Sequence, residues 1–200
     1  LRGDVPLNIM AQSMVAGVDI ATLVAIPFFM LAGELMNESG ITERLVRFAQ
    51  YIVGRIQGGL AYVTVIVNVI MAGVSGSAVA EASAVSSVLL PAMARDGYDR
   101  RFAAAINAAA ATIGPIIPPS IPMVFIAVIS DLSIGRLFLG GVVPGLLMGL
   151  FLAVTIYCYS LRHPLPVTRV AGGPREFLRL LGQAFLALMA PVIILAGVVF

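Results

Sequence analysis

The stretch Gly114-Pro115-Ile116-Ile117-Pro118-Pro119-Ser120-Ile121-Pro122-Met123 places four prolines inside the apolar residues 102–128, which are enough to cross a membrane. A proline removes the backbone hydrogen bond to the carbonyl four residues earlier, so a regular helix cannot continue through this stretch. Unpaired backbone at membrane depth is tolerated only inside protein or beside a water-filled cavity. The stretch therefore predicts a transmembrane helix that is broken within the membrane.

A second interruption lies inside the apolar residues 60–93. Its centre, Gly73-Val74-Ser75-Gly76-Ser77-Ala78-Val79-Ala80-Glu81-Ala82-Ser83, is small, polar and weakly helix-forming, and Glu81 carries the only charge in 60–93. Each side of the break holds about 16 residues, or ~24 Å of helix, which is less than the ~30 Å hydrocarbon core. Two half-depth helices, forming a re-entrant hairpin, are expected.

The composition as a whole is that of a polytopic membrane protein. Of the 200 residues, 60% are apolar and 11% charged, and the mean hydropathy is +1.04, whereas soluble domains carry about 25% charge. One cysteine, Cys158, and one histidine, His163, exclude an internal disulfide and a Cys/His metal cluster. A net charge of +2 is too small for a nucleic-acid-binding surface. The partner that the composition indicates is the lipid bilayer.

Three units are predicted along the chain. Residues 1–59 comprise a transmembrane helix and an amphipathic interfacial helix; residues 60–136 comprise half of a transport domain, with the hairpin at 60–93 and the broken helix at 101–128; residues 137–200 comprise a transmembrane helix, a cytoplasmic linker, a second amphipathic helix and the start of a further span. Because the chain begins at Leu1 and ends inside an apolar run, we expect it to be a fragment of a longer protein.

Residues 41–56 form the first amphipathic helix. Apolar residues at helical spacing define one face: Ile41, Leu45, Phe48, Ala49, Ile52, Val53 and Ile56. Polar and charged residues define the other face: Glu43, Arg44, Arg47, Gln50 and Arg55. This pattern is typical of a helix that lies on the membrane surface.

Arginines predict the orientation. If residues 60–93 enter the membrane and return, ten of the twelve basic residues, all arginines, share one side: Arg44, Arg47, Arg55, Arg95, Arg100, Arg101, Arg162, Arg169, Arg175 and Arg179. Only Arg2 and Arg136 fall on the other side. By the positive-inside rule the ten are cytoplasmic, so the hairpin is expected to enter from the cytoplasm.

The two interruptions provide oxygen ligands for a hard cation. The prolines free backbone carbonyls at Ala111, Gly114, Pro115 and Pro118. With the hydroxyl of Ser120 or Thr112, these carbonyls suit Na⁺. The hairpin adds carbonyls over 75–77 and helix-opening amides over 78–80. Together the two interruptions could hold a cation and a carboxylate side by side.

Packing is the alternative explanation for these features. Small residues in membrane helices commonly serve close contact, so for either break alone packing and a binding site are equally supported. Two breaks in neighbouring segments favour a site. Glu81 is either a buried functional acid or a carboxylate bonded to hairpin amides. Asn68 and Asn107 either line a cavity or bridge helices, and Glu34 and Glu38 are expected to extend to the membrane surface.

The chain resembles the large membrane subunit, DctM type, of tripartite ATP-independent periplasmic (TRAP) transporters. The resemblance covers nearly the whole chain in family order and is carried by these runs: Pro27–Met36, Gly76–Ala80, Pro91–Met93, Gly97–Tyr98, Gly114–Met123, Leu137–Gly141 and Pro144–Gly145. Glu81 stands where the family pattern leads us to expect an aspartate, a departure that keeps the charge.

The resemblance implies an all-α polytopic fold, an inverted-repeat elevator-type transporter of the ion transporter superfamily kind, in the bacterial inner membrane. It implies Na⁺-coupled uptake of an organic acid, delivered by a periplasmic binding protein (DctP type), together with a small membrane subunit (DctQ type). No enzymatic activity and no organic cofactor are expected. The sodium ligands it implies are at Gly76, Ser77, Gly114, Pro118, Pro119 and Ser120, to which the residue pattern adds Thr112. The expected carboxylate contacts are Ser77, Ala78, Val79 and Ser120.

Two other functions compete with transport. Gly73-Val74-Ser75-Gly76 matches the G-x-S-G pattern of an intramembrane serine protease, but such an enzyme needs a base within reach of the serine, and His163 lies in the predicted cytoplasmic linker. A channel is the second competitor, because carbonyl-lined breaks also build selectivity filters. Coupled transport predicts saturable uptake that needs both Na⁺ and a binding protein, whereas a channel conducts without either.

Overall fold

The computed structural model describes residues 7–18, 25–168 and 174–199, and their regular secondary structure is α-helical and without strands, as the sequence predicts. In chain order the helices are α1 Leu7–Val18, α2 Ala25–Glu38, α3 Ile41–Val53, α4 Gly59–Ser75, α5 Ala78–Arg95, α6 Arg100–Ala111, α7 Ile121–Ile129, α8 Ile134–Arg162 and α9 Pro174–Val199. Helix α1 is not anticipated by the sequence analysis. Asp19 stands just before the first apolar span and would cap it by its sequence position, but it lies outside the described residues.

The helices differ in whether they can span a bilayer. Within the described ranges, α8 is the one helix that is both long and apolar enough to cross a membrane, with 29 residues. Helix α4 is apolar but has 17 residues, or ~26 Å at 1.5 Å per residue, which is less than the ~30 Å core. The amphipathic helix and the further span predicted near the C-terminus form one continuous helix, α9.

Two residues are enough to separate α4 from α5. Gly76 ends α4 in the left-handed region, with φ 58°, which glycine adopts without a Cβ penalty. Ser77 is extended and caps α5, its Oγ accepting a hydrogen bond from the Ala80 amide at 3.4 Å. The interruption is therefore narrower than the weakly helical stretch 73–83, because caps at both sides allow the flanking small residues to remain helical. We call Gly76 and Ser77 the hairpin tip.

Helix α4 lies at the centre of the fold and packs against α2, α3, α5, α6, α8 and α9. Its polar side chains are used inside the protein. The Asn68 amide donates to the Thr64 carbonyl at 2.8 Å and to Asn107 Oδ1 at 3.4 Å. The Asn107 amide donates to the Ala82 carbonyl at 3.0 Å. Of the two roles considered for these asparagines, the geometry favours bridging, since together they join α4, α5 and α6.

The hairpin ends are tied to the linker that follows α8. The Tyr98 hydroxyl accepts a hydrogen bond from the Leu60 amide at 3.3 Å and donates to the Pro166 carbonyl at 3.2 Å. The Gly58 amide donates to the same carbonyl at 3.1 Å. Burial raises the pKa of Tyr98 to about 12, so this hydroxyl keeps its proton at neutral pH. The first residues of α4 and the turn after α5 are thereby held together.

Helix α8 presents glycines four residues apart to the irregular residues 112–120, which lie between α6 and α7. A Cβ at Gly141 would overlap the Ile116 carbonyl oxygen, and one at Gly145 would overlap the Ile117 side chain. At Gly149 the nearest atom would be Val69 Cγ2, at 3.0 Å. This spacing lets membrane helices approach closely. Helix α8 therefore packs against both residues 112–120 and α4.

Candidate functional site

The hairpin tip meets the irregular segment between α6 and α7. This segment, residues 112–120, is called the proline-rich segment below. A Cβ added to Gly76 would overlap the Pro119 carbonyl oxygen and would lie 3.3 Å from Ser120 Cα. The two interruptions recognised in the sequence therefore lie in direct backbone contact, although they are separated by about forty residues of chain.

A buried carboxylate lies beside this contact. Glu81, in the first turn of α5, is fully buried at 0% exposure. Its Oε1 accepts a hydrogen bond from the Ser75 hydroxyl at 2.6 Å. Its Oε2 is buried and, within the described part of the chain, accepts no hydrogen bond. The sequence left two roles open for Glu81. The structure does not show the one in which hairpin amides bond to the carboxylate.

The carboxylate faces the proline-rich segment. A Cβ at Gly114 would lie 2.5 Å from Glu81 Oε1 and 2.8 Å from Oε2, so the absence of a side chain at Gly114 makes room for the acid. No salt bridge to Glu81 is formed by the described residues; the one ion pair among them is Arg179 with Glu176 at 3.9 Å. An ionised Glu81 would therefore be a buried charge without a counter-charge among the described residues, which costs several kcal/mol.

The carbonyls of the proline-rich segment divide into two groups. The Ala111 carbonyl accepts from the Gly114 amide at 3.1 Å, and the Pro115 carbonyl accepts from the Ser120 hydroxyl at 2.5 Å. The carbonyls of Gly114 and Pro118 accept no hydrogen bond from the described residues. Two of the four carbonyls predicted to be freed by proline thus remain available as oxygen ligands.

Ser120 performs two local tasks. It is buried, at 1% exposure, and its Oγ accepts a hydrogen bond from the Met123 amide at 3.2 Å, which caps α7. The same Oγ donates to the Pro115 carbonyl. Both hydrogen bonds are local, so Ser120 joins the end of the proline-rich segment to the start of α7.

The tip presents free amides on its exposed side. The Ala80 and Glu81 amides donate to Ser77, whereas Ala78 and Val79 open α5 and so have no intrahelical acceptor for their amides. The Val79 side chain is 81% exposed. These two amides at a helix N-terminus suit an anion.

The Thr112 hydroxyl is bonded to its own helix. Its side chain is exposed, and its hydroxyl donates to the Ala109 carbonyl of its own helix at 2.7 Å. Ser75, by contrast, is a site residue for which the sequence predicted only a backbone carbonyl ligand, whereas its hydroxyl bonds to Glu81. The sequence feature that could have identified Ser75 is its spacing of six residues from Glu81, the single acid of the hairpin. This spacing brings the two side chains together only because the chain reverses at the tip.

A small cavity adjoins the tip on the side of α2. It has a volume of about 80 Å³ and is lined by Met30, Gly33, Glu34, Met71, Ser75, Ser77, Ala80 and Ala84. A Cβ at Gly33 would lie 3.3 Å from Ser75 Cα, so α2 packs directly on the end of α4. The exposed Glu34 therefore lies close to the site.

Comparison with known proteins identifies the family. The model for the DctM component of tripartite ATP-independent periplasmic transporters matches residues 1–200. The chain belongs to the DctM family. The sialic acid TRAP transporter large permease SiaM of Vibrio cholerae is 41% identical over 99% of this DctM chain and 46% of the relative's length.

Two further relatives have different named substrates. The 2,3-diketo-L-gulonate TRAP transporter large permease YiaN of Escherichia coli is 44% identical over 96% of the chain and 45% of the relative. The C4-dicarboxylate TRAP transporter large permease DctM of Pseudomonas aeruginosa is 45% identical over 88% of the chain and 41% of the relative. The DctM chain thus spans about half the length of the curated relatives that it matches.

These findings confirm the predicted family and weigh against an enzyme. The relatives are named as transporter permeases, in agreement with the expectation of a non-enzymatic chain. The geometry also weighs against an intramembrane protease. The Ser75 hydroxyl is bonded to Glu81, and His163 stacks on Tyr159 at 4.5 Å, just after the end of α8.

Proposed function

We propose that this DctM chain is the first half of the permease of a Na⁺-coupled TRAP transporter in the bacterial inner membrane. The complete protein takes up an organic acid that a periplasmic binding protein delivers, and it works with a small membrane subunit of the DctQ type. The observation that carries the proposal is the contact of Gly76 with Pro119 beside the buried Glu81. Contact between two interruptions of this kind is the arrangement that secondary transporters use to bind ions at mid-membrane.

The sodium ion is assigned to the junction between the tip and the proline-rich segment. The oxygens available there are the Gly114 and Pro118 carbonyls and Glu81 Oε2. Gly76, Ser77, Pro119 and Ser120 form the surrounding backbone and caps. A bound Na⁺ would offset the uncompensated charge of Glu81, which is the physical reason for adding this acid to the predicted ligand set.

The organic acid is assigned to the exposed side of the tip. The Ala78 and Val79 amides, together with the helix dipole of α5, provide positive partial charge. The residues described around the tip supply no lysine or arginine, so a neighbouring Na⁺ would add the remaining attraction for a carboxylate. In the proposed transport cycle, this half-site and the second repeat of the complete permease move together across the membrane as an elevator.

Removing the serine hydroxyls should weaken sodium coupling. In the complete transporter, Ser120→Ala should raise the Na⁺ concentration for half-maximal uptake about fivefold, because it removes the hydrogen bonds that Ser120 makes with the Pro115 carbonyl and the Met123 amide, and a hydrogen bond that orders the segment carrying the ion's oxygens contributes ~1 kcal/mol. Ser77→Ala should act in the same direction. The measurement is initial uptake into proteoliposomes over a Na⁺ series, with binding-protein affinity for the substrate measured separately and expected to stay unchanged.

Ser86→Ala is the matched control, since the Ser86 hydroxyl donates only to the Ser83 carbonyl of its own helix. It should keep the wild-type sodium dependence. If both site variants also keep it, the interruptions serve packing and the sodium assignment is wrong. Conductance without binding protein or Na⁺ would instead support the channel.

Cysteine accessibility tests the proposed topology. In a Cys158→Ala background, cysteines at the exposed Gln57 and Ala94, just outside the two ends of the hairpin, should react only with reagents that reach the cytoplasm. A cysteine at the exposed Leu132, between α7 and α8, should react from the periplasm. Labelling of position 57 or 94 from the periplasm would overturn the re-entrant topology.

A further inference from the structure

We propose that a cleft between α3 and α9 binds the headgroup of an anionic phospholipid. The cleft has a volume of about 530 Å³ and is lined by Ser39, Gly40, Glu43, Arg44, Arg47 and Gln183. It lies away from the tip and the proline-rich segment, and none of the residues assigned to sodium or substrate lines it. The inference therefore stands independently of the proposed transport site.

Two arginines give the cleft its charge. Arg44 and Arg47 are one helical turn apart on the exposed face of α3. In the described ranges, neither arginine has a carboxylate within 4 Å, since the ion pair found there joins Arg179 and Glu176. Glu43 is the acid in the cleft, so the lining carries a net positive charge. Paired guanidinium groups match the oxygens of a phosphodiester, which accept two parallel hydrogen bonds from each fork.

The neighbouring helices hold the arginines in place. Most of the apolar face of α3 is buried, with Leu45 and Ala49 at 0% exposure, while Ile52 near its end is exposed, and α3 packs against both α4 and α9. Helix α3 therefore uses its apolar face inside the protein, and its arginine face is left at the surface. Helix α9 adds the exposed Gln183, whose amide can donate to a phosphate or glycerol oxygen.

An apolar track leads away from the cleft along α2. Ser39 continues the last turn of α2, its amide donating to the Leu35 carbonyl at 3.0 Å. Leu35 and Leu31 precede Ser39 at intervals of four residues, which places all three on one helical face. Both leucines are exposed, at 61% and 56%. Phe28 is also exposed on this helix. A headgroup in the cleft would thus have its acyl chains beside an apolar surface.

This combination distinguishes a lipid from a soluble phosphate. A soluble ligand would need the charged cleft alone, and the exposed leucines next to it would serve no purpose in binding. A phospholipid uses both parts: its phosphate binds the arginines and its chains cover Leu31 and Leu35. Basic pockets at the ends of membrane helices are known to bind acidic lipid headgroups in this way.

The test uses the full-length permease that contains this chain, purified in detergent and titrated with phosphatidylglycerol or phosphatidylcholine under native mass spectrometry. We expect the wild type to prefer phosphatidylglycerol. Arg44→Gln together with Arg47→Gln should weaken phosphatidylglycerol binding about thirtyfold, since each basic residue near a lipid surface contributes roughly a factor of five or more. The variant with Arg44→Lys and Arg47→Lys should bind phosphatidylglycerol with an affinity between those of the wild type and the glutamine variant, because lysine keeps the charge but lacks the two parallel donors of a guanidinium group.

Arg100→Gln with Arg101→Gln is the matched control. These two exposed arginines lie in the first turn of α6, where positive charge is unfavourable to the helix dipole, so the pair removes equal charge without destabilising the protein. It should keep the lipid preference. Gln183→Glu adds a negative charge to the cleft and leaves both arginines in place, so it should also weaken phosphatidylglycerol binding. This variant tests the site even if the arginine double variant misfolds.

Three results would overturn the proposal. Equal loss of preference in the control would show a diffuse charge effect. Full competition by millimolar glycerol 3-phosphate would show a soluble-phosphate site. An unchanged lipid preference accompanied by loss of the co-purifying small subunit would show that the cleft is a protein-binding surface.

Discussion

Gly76→Ala is expected to abolish uptake by the complete transporter while leaving the permease inserted in the membrane. Gly76 has φ 58°, where an alanine costs about 1–2 kcal/mol. The added Cβ would also overlap the Pro119 carbonyl oxygen. That atom is backbone and cannot rotate away, so the tip and the proline-rich segment must separate. Because the proposed sodium site exists only while they touch, initial uptake should fall by a hundredfold or to background, on the order expected for clash and strain together.

Gly97→Ala separates the two causes. Gly97 also has a positive φ, of 88°, but nothing lies within 4 Å of its added Cβ. Gly97→Ala should lower the thermal midpoint of unfolding about as much as the positive φ alone does in Gly76→Ala. Sodium-dependent uptake by the Gly97→Ala variant should be unchanged. Equal loss of uptake in both variants would attribute the effect to backbone strain. Normal uptake by Gly76→Ala would show that the contact is dispensable.

The sequence was most informative where single residues govern the backbone. Proline and glycine act on their own turn, so interruptions are predicted within 73–83 and among the four prolines of 114–123. In the structure α4 ends at Ser75 and α5 begins at Ala78, and α6 ends at Ala111 and α7 begins at Ile121. Ser77 and Ser120 act just as locally, as N-caps that bond to the amide three residues later, although the sequence pointed to them as ligands and not as caps. These features need no knowledge of the rest of the chain.

Contacts between distant segments could not be obtained in the same way. The meeting of Gly76 with Pro119, and of Glu81 with Gly114, depends on how α4, α5 and α6 pack, which local spacing does not specify. The hydroxyl of Thr112 illustrates the same limit. A threonine near a helix end can bond back to its own helix or point outward to a ligand, and only the folded chain shows that it donates to Ala109.

The amphipathic pattern of α3 had a similar ambiguity. Its apolar face could be buried in lipid or in protein with the same spacing of residues. The structure buries Leu45 and Ala49 against α4 and α9. Periodicity therefore identified which face is apolar, but the partner of that face depended on α9, which lies more than a hundred residues later in the chain.

Glu81→Gln is expected to raise the Na⁺ concentration for half-maximal uptake by tenfold or more. Glutamine has nearly the same shape, and its amide oxygen can still accept the hydrogen bond from Ser75. The substitution therefore removes the negative charge beside Gly114 with little change in packing. Loss of a charged contact to a bound cation weakens binding by ~1.5–3 kcal/mol, which corresponds to the expected factor. Uptake over a Na⁺ series, with the amount of inserted permease measured in parallel, gives the result.

Glu38→Gln is the control, because Glu38 is an exposed acid at the end of α2, away from the tip. It should leave sodium dependence unchanged. Ser75→Ala adds a second test through the hydrogen bond itself. If Ser75 acts only by orienting Glu81, the double variant Ser75→Ala/Glu81→Gln should be no worse than Glu81→Gln alone, since coupled residues are not additive. Full additivity would mean that Ser75 contacts the ion independently. A wild-type sodium dependence in Glu81→Gln would remove the acid from the site and leave the neutral oxygens of Gly114 and Pro118 as the cation ligands.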